Sequence, residues 1–381
     1  MTVGLTARVV RGLEWVAADE IDLCLTASHV VLGPREVRFT VAELGAAVTA
    51  LRTVDDVFVR VGTLRGVGRD RRTSALVAAA AARLDLASAL ASVRTLRPVA
   101  RRPGFDVVAS IDGDRRFNRY DLEDALGDAL SPTIGGHYGS RRAGPPPPGD
   151  LSVRVAVAGE RAEVMVRVSS GPLHRRPWKR NTAPATLHPP VAAALLRLAG
   201  CLGSVVDPFC GDGTIPIEAV LAGGPIWAAG SDLDSPRVAN ARANAQRAGL
   251  ALPWVRADAA RVPWRPAPGG AWVTNPPWNR SVPAAGGVVA TLTSAWSEAR
   301  RVLGPTGTLA VIVDADIGLD TELAPAGWRA VVTQHARLAG RLCRLVIAVP
   351  SDGPGRHPLS PTLQAWRQQA ASDGLVTATG F

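Results

Sequence analysis

Val205-Val206-Asp207-Pro208-Phe209-Cys210-Gly211-Asp212-Gly213-Thr214-Ile215-Pro216-Ile217-Glu218-Ala219 is the stretch whose reading decides the fold. A short apolar run, predicted as a strand over Ser204–Val206, leaves through an acidic turn with two glycines and enters a helix near Thr214. Glycines at such a turn let the backbone approach a ligand closely, and the unpaired N–H groups of a helix start favour a polar or anionic group. No Gly-Lys-Ser/Thr follows, and the spacing is not Gly-x-Gly-x-x-Gly, so neither standard nucleotide loop is present.

Working outward, the same alternation of helix and strand continues. Helix Val191–Ala199 precedes the turn, and strand Ile226–Gly230 follows it, ending at Ser231-Asp232-Leu233-Asp234. Helix Pro236–Ala248 carries Arg237, Asn240, Ala243 and Asn244; strand Trp254–Arg256 ends at Ala257-Asp258; strand Ala271–Thr274 delivers Asn275-Pro276-Pro277-Trp278. Ligands of open α/β sheets bind at the carboxyl ends of strands, where all of these polar residues fall. Each signal is weak alone, since an aspartate after a strand is commonly a helix cap and Pro-Pro is commonly a rigid turn. Together they are specific.

The chemistry they suit is S-adenosylmethionine-dependent methylation of an amino group on a base. An exocyclic amine is a poor nucleophile because its lone pair is delocalised into the ring. The Asn275 amide oxygen and the Pro276 carbonyl can accept its two N–H bonds, and Trp278 can stack on the base once it has left its helix. No strongly basic residue is required. Asp232 lies where a ribose-binding carboxylate is expected, with Asp234 as the alternative. Thr214 and Glu218 read as helix-start and packing residues, and Cys210 as a small turn residue with no visible basic partner.

The rest of the 381 residues exceed what one core needs. Residues 1–61 read as a small α+β unit: strand Thr6–Val10, helix Leu13–Leu23, strands around Val30 and over Val37–Phe39, helix Val41–Leu51 and strand Val57–Val61. Residues 62–170 read as helices Ser74–Leu84 and Leu86–Leu96, strand Phe105–Ile111, helix Leu122–Leu130, a polyproline loop at 145–148, and a hairpin of Leu151–Val157 with Glu163–Val168. Residues 171–190 read as a linker, 191–350 as the α/β domain, and 351–381 as a loosely held tail.

The formal net charge of +10 favours a polyanionic partner, although 42 of the 43 basic residues are arginine, which also reflects compositional bias. Four scattered cysteines without metal-ligand spacing, no signal-like start and no long apolar run predict a cytoplasmic protein without a metal, a membrane span or an evident obligate protein partner.

Several segments carry a family resemblance. The Asp-Pro-Phe-Cys-Gly-Asp-Gly-Thr turn is similar to that of the Rossmann-fold methyltransferases that modify RNA. Arg11-Gly12-Leu13-Glu14 with Ala17 and Glu20-Ile21, Ile111-Asp112-Gly113-Asp114-Arg115-Arg116-Phe117-Asn118-Arg119, and Pro172-Leu173-His174-Arg175-Arg176 followed by Ala183-Pro184-Ala185 extend the likeness. Over roughly residues 5–350 the chain resembles the THUMP-domain-containing RNA methyltransferases, most of all those making N2-methylguanosine in tRNA. The resemblance implies an α/β fold: a C-terminal Rossmann-like domain with a mostly parallel seven-stranded sheet, preceded by ferredoxin-like (1–61) and THUMP (62–170) α+β domains. It implies cofactor contacts at Asp207, Phe209, Cys210, Gly211, Gly213, Asp232, Asp258 and Asn275, with Asp207 at the cofactor's amino-acid end. Asn275, Pro276 and Trp278 would be catalytic on a guanosine of structured RNA, in the acceptor-stem region of tRNA. RNA contacts would come from Arg115, Arg116, Arg119, His174, Arg175, Arg176, Lys179 and Arg180, with Trp178 available to stack on an unpaired base. Two departures stand out: Trp278 where tyrosine or phenylalanine is commoner, and Asn279-Arg280 where a small residue is expected. Other amine targets (rRNA guanine, DNA adenine, protein glutamine) and a non-catalytic RNA-binding role stay open.

Overall fold

The computed structural model describes all residues except 1, 143, 145–148, 201–202, 224–226, 266–268, 279–287, 318, 320–322, 355–358 and 377–381, and the side chains of 288–290. The polyproline loop, Cys201 and the Asn279-Arg280 departure lie outside the described residues.

The N-terminal half begins as β1 (Val3–Arg8), α1 (Glu14–Cys24), β2 (Ala27–Gly33), β3 (Glu36–Val41), α2 (Ala47–Ala50) and β4 (Asp56–Arg65). The expected helix over Val41–Leu51 shrinks to the single turn of α2. The β-branched Val41 instead pairs with Val3 and Ala27 at the end of β3. Then come α3 (Arg72–Ala81), α4 (Leu86–Leu96), β5 (Gly104–Ile111), α5 (Arg119–Ile134), β6 (His137–Tyr138), β7 (Leu151–Ala158) and β8 (Arg161–Arg167). The start of α5 is set by a reciprocal cap: Asn118 accepts from the Tyr120 and Asp121 N–H groups, and Asp121 accepts from the Asn118 N–H. All eight strands form one sheet in the order β2-β3-β1-β4-β8-β7-β5-β6. The boundary expected at 61/62 falls inside β4, whose first part pairs with β1 and whose whole length from Phe58 pairs with β8.

The C-terminal half contains α6 (Pro189–Leu198), β9 (Ser204–Asp207), α7 (Thr214–Leu221), β10 (Trp227–Asp232), α8 (Ser235–Arg247), β11 (Trp254–Arg256), β12 (Ala271–Thr274), α9 (Val288–Leu303), β13 (Thr308–Asp314), β14 (Trp328–Leu338) and β15 (Arg341–Pro350). Its seven strands are ordered β11-β10-β9-β12-β13-β15-β14. All run parallel except β15, which is antiparallel to both neighbours. The strand order reverses direction between β9 and β12, the switch point at which such sheets open a crevice. The stretch expected as a loose tail carries α10 (Pro361–Ser372), which is capped by the Ser360 side chain, packs against α1 and buries Leu363 and Ala370. Among the described residues, no single helix is long and apolar enough to cross a membrane.

The two halves share one continuous apolar core, running from Leu5 and Trp15 through α6 to Val332, Leu345 and Leu363. The Trp15 indole N–H donates to Gln334 Oε1 (3.2 Å) and the Arg337 N–H to the Arg11 carbonyl (3.0 Å). Gly12, at φ +95°, lies where a Cβ would come within 2.1 Å of the His335 carbonyl oxygen, so only glycine fits this contact. Buried pairing of Asp19 with Arg197 (2.5 Å) ties α1 to α6.

Candidate active site

The turn after β9 is held from below by backbone bonds: the Cys210 N–H donates to the Ser231 carbonyl (2.9 Å) and the Gly213 N–H to the Cys210 carbonyl (2.8 Å). Gly213, at φ +84°, packs so closely that a Cβ would meet the Trp254 ring at 2.9 Å and Ala241 at 3.0 Å. Asp207 is buried, and its carboxylate accepts from Thr274 Oγ1 (2.6 Å) and the Phe209 N–H (3.1 Å). This first bond bridges the ends of β9 and β12 across the switch point. Burial pushes the Asp207 carboxyl up to about 7, with nearby Asp232 adding to the rise and the two hydrogen bonds opposing it. Asp232, at the end of β10, takes the Gly211 N–H (2.9 Å) on one oxygen and the Asp234 N–H (3.0 Å) on the other. Burial raises its pKa too. Cys210 is buried, and its thiol is pushed well above the ordinary value, chiefly by burial, which keeps it a thiol rather than a thiolate nucleophile. Phe209 is half-buried against the core on one face of the sheet. Asp258 is exposed beyond β11 and accepts from the Ala260 N–H (2.9 Å).

Directly after Thr274, the Asn275 amide nitrogen donates to the Ala185 carbonyl at 3.5 Å, while its Oδ1 is shielded from solvent and has no partner among the described residues. A shielded acceptor with no donor is costly. Pro276 is buried, and half-buried Trp278 donates its indole N–H to the Ile312 carbonyl (3.3 Å) on β13. The glycine turn and the Asn275 corner therefore open at one edge of one sheet.

The segment read as a linker is packed. Arg176 is buried and bonds Glu218 Oε1 (2.9 Å), the Leu173 carbonyl (2.6 Å) and the Arg52 carbonyl (2.7 Å). Arg52 reaches the same Glu218 (2.8 Å), so a carboxylate one turn into α7 binds the N-terminal half to that helix. Lys179 donates to the Leu187 carbonyl, and burial lowers its pKa to about 8. His174 pairs with the Asp55 carbonyl (3.2 Å) and stacks on His188, and Trp178 is buried beside Cys210 and Trp254. Arg115 spends its guanidinium on the carbonyls of Val67, Gly68 and Gly159. Arg176 and Trp178 are buried, unlike the RNA-facing side chains the sequence reading expected, while Arg115, His174 and Lys179 are half-buried with their polar atoms bonded within the chain. Arg116, Arg119, Arg175 and Arg180 are exposed.

Asp212, Asn244 and Glu218 are polar residues that sequence reading passed over as site components. Asp212 is buried and collects the Ala183 N–H (2.8 Å), Arg237 (3.1 Å) and Asn240 (3.0 Å). The signal was present: Arg237, Asn240 and Asn244 repeat at three and four residues, one helical face turned towards the acidic turn.

Comparison with known proteins bears on this geometry. The profile of the RMKL-like methyltransferase domain matches residues 176–343, the region containing the glycine turn, Asp232, Asp258 and the Asn275 corner. Residues 176–343 form an RMKL-like methyltransferase domain. A tRNA (guanine(6)-N2)-methyltransferase of Thermus thermophilus is 36% identical over 165 residues, 42% of this chain and 47% of that protein. A ribosomal RNA large subunit methyltransferase K/L of Magnetococcus marinus is 37% identical over 116 residues, 29% of this chain and 16% of that protein. These matches thus take in less than half the length of the curated relatives. The crystal structure of TrmN from Thermus thermophilus aligns with a TM-score of 0.71 at 26% identity, covering 91% of this chain and 99% of that one. The methyltransferase domain and the N-terminal half are therefore arranged as in that structure.

Proposed function

We propose that the chain is an S-adenosylmethionine-dependent RNA methyltransferase acting on the exocyclic N2 amine of a guanosine in tRNA. The carrying observation is the shielded, unpartnered Oδ1 of Asn275 at the switch point, one residue from the Thr274–Asp207 bond. Support for the substrate comes from the matched relative named for guanine 6 of tRNA.

The residues present fit the cofactor. Each Asp232 oxygen accepts only one backbone N–H, leaving lone pairs for ribose hydroxyls. Gly211 and Gly213 carry no side chains, and Asp212 between them is buried with its carboxylate bonded to Ala183, Arg237 and Asn240. When bound, the cofactor supplies an electrophilic methyl on a sulfonium. Asn275 Oδ1 accepts one N–H of the amine and the Pro276 carbonyl accepts the other, which turns the nitrogen lone pair outward and stabilises the charge the nitrogen gains as its bond to the methyl forms and the methyl–sulfur bond breaks, sulfur keeping that electron pair and the cationic amine then releasing a proton to water. Trp278 stacks on the extruded base, its edge tethered to β13. Exposed Arg116, Arg119, Arg175 and Arg180 hold RNA phosphates and act in a cytoplasmic setting.

The test is transfer of labelled methyl from S-adenosylmethionine to unmodified tRNA, with nucleosides resolved by mass spectrometry. N2-methylguanosine is expected. Label in N6-methyladenosine, or no label in RNA, overturns the reading. Label confined to large-subunit ribosomal RNA would favour the second reading, which the K/L relative supports.

A further inference from the structure

Side chains of Asp212, Arg237 and Asn244 hold much of the backbone of segment 179–187, beside the short-range backbone bonds from Arg180 to Trp178 and from Thr186 to Ala183. The Arg180 and Asn181 N–H groups donate to Asn244 Oδ1 (3.3 and 3.1 Å), and the Asn181 carbonyl accepts from Asn244 Nδ2 (2.8 Å). The Ala183 N–H donates to Asp212 Oδ2 (2.8 Å), and the Pro184 carbonyl accepts from Arg237 Nη2 (2.6 Å). Lys179 closes the segment on the Leu187 carbonyl. Ala185 lies at φ +62°, a left-handed conformation that a residue with a Cβ rarely adopts and that persists only when its surroundings impose it. Beyond these anchors, the Ala185 carbonyl accepts from Asn275 Nδ2.

An asparagine amide can face either way, and the two orientations exchange a donor for an acceptor. A carbonyl only accepts, so Ala185 can pair only with the Asn275 nitrogen. That choice leaves Oδ1 as the group presented to a ligand, and Oδ1 is the atom found shielded and unpartnered.

We infer that the 179–187 strap, anchored by Asp212 and Asn244, orients the Asn275 amide through the Ala185 carbonyl and so makes the pocket selective for a substrate atom bearing N–H over one that only accepts. This rests on the reading of Asn275 given above and deepens it. Asp212 and Asn244 are positioning residues: they touch the strap, and act through Asn275. An exocyclic amine satisfies the pocket. A ring nitrogen without hydrogen, or a keto oxygen, faces Oδ1 acceptor to acceptor.

The experiment uses the full chain and two kinds of readout. Ala185→Gly tolerates the left-handed backbone, whereas Ala185→Val, β-branched, drives the peptide out of it. In protein labelled with 15N-asparagine and no ligand added, the Asn275 side-chain N–H signals, assigned by their loss in Asn275→Ala, are expected to keep their position in Ala185→Gly and move in Ala185→Val. In methyl transfer, Ala185→Val is expected to lose at least about 10-fold in kcat while S-adenosylmethionine affinity by calorimetry stays within about 3-fold. Ala185→Gly stays within about 3-fold in both. Asn275→Asp, an isostere with acceptors on both sides, is expected to lose about 100-fold because one oxygen must face the Ala185 carbonyl. Asn275 signals identical in the two Ala185 variants, or full turnover by Asn275→Asp, overturn the inference. Wild-type protein that methylates no guanine amine overturns the reading beneath it, and the ligand-free spectra still decide the strap.

Discussion

At the carboxyl edge of the second sheet, polar residues sit at strand ends and turn towards a common opening. In the arginine-rich segment 171–190, fewer than half of the side chains expected to meet RNA face solvent. Sequence reading treats both as ligand-facing. The difference lies in what places the side chain. A residue that ends a parallel strand is carried to one edge by the sheet itself, whatever surrounds it. An arginine in an aperiodic segment goes wherever a carboxylate or a carbonyl awaits it, and buried Glu218 and the Arg52 carbonyl claim Arg176.

Three measurements bear on that contrast. The largest effect is expected at the edge: Asn275→Ala loses methyl transfer by at least about 100-fold, the loss typical of removing a transition-state hydrogen-bond acceptor, while cofactor affinity stays within a few-fold. Undiminished turnover would remove the edge from the chemistry and break the comparison.

Within 171–190, adjacent arginines are expected to behave oppositely. Arg176→Ala leaves Glu218 buried with Arg52 as its remaining charged partner and costs about 3 kcal/mol of unfolding free energy by denaturant titration. Arg175→Ala costs under about 0.5 kcal/mol and instead lowers the salt slope of RNA binding by about 0.7 to 0.9. Equal stabilities for the two variants would return Arg176 to the surface.

The smallest effect tests Asp207. Its folded pKa of about 7 lies above the roughly 3.9 of an unfolded aspartate, so the folded chain holds the proton more tightly. Its stabilising contribution is full below about pH 4 and is lost as pH rises through about 7. Asp207→Asn mimics the protonated acid and is expected to lose less stability than wild type between pH 5 and pH 8. Asp56, pushed up to about 6 by burial, titrates in the same range in both proteins, so only the difference between them is read. Parallel pH profiles would mean that Asp207 ionises at no cost.

Much of the second sheet was legible. Trp254–Arg256 and Ala271–Thr274 are strands with the expected bounds, because short apolar runs between turn residues have few alternatives in an α/β repeat. Leu86–Leu96 is likewise the expected helix. The continuous eight-stranded sheet was not legible, since Phe58 and its partner Arg167 are over a hundred residues apart and no local pattern announces the pairing. Nor was the anchoring role of α10, whose apolar Leu363 and Ala370 gain meaning only against α1.

What the sequence by itself determined is the set of strand ends: periodicity and glycine punctuation are local properties, and the parallel topology then brings Asp207, Asp232 and Asn275 to one edge. What only the tertiary structure decided is which polar groups are already spoken for. Arg115, Arg176 and Asp212 find partners distant in sequence, and a buried charge or carbonyl takes whichever complementary group the packing brings within about 3 Å. Asn275 Oδ1 was left without one.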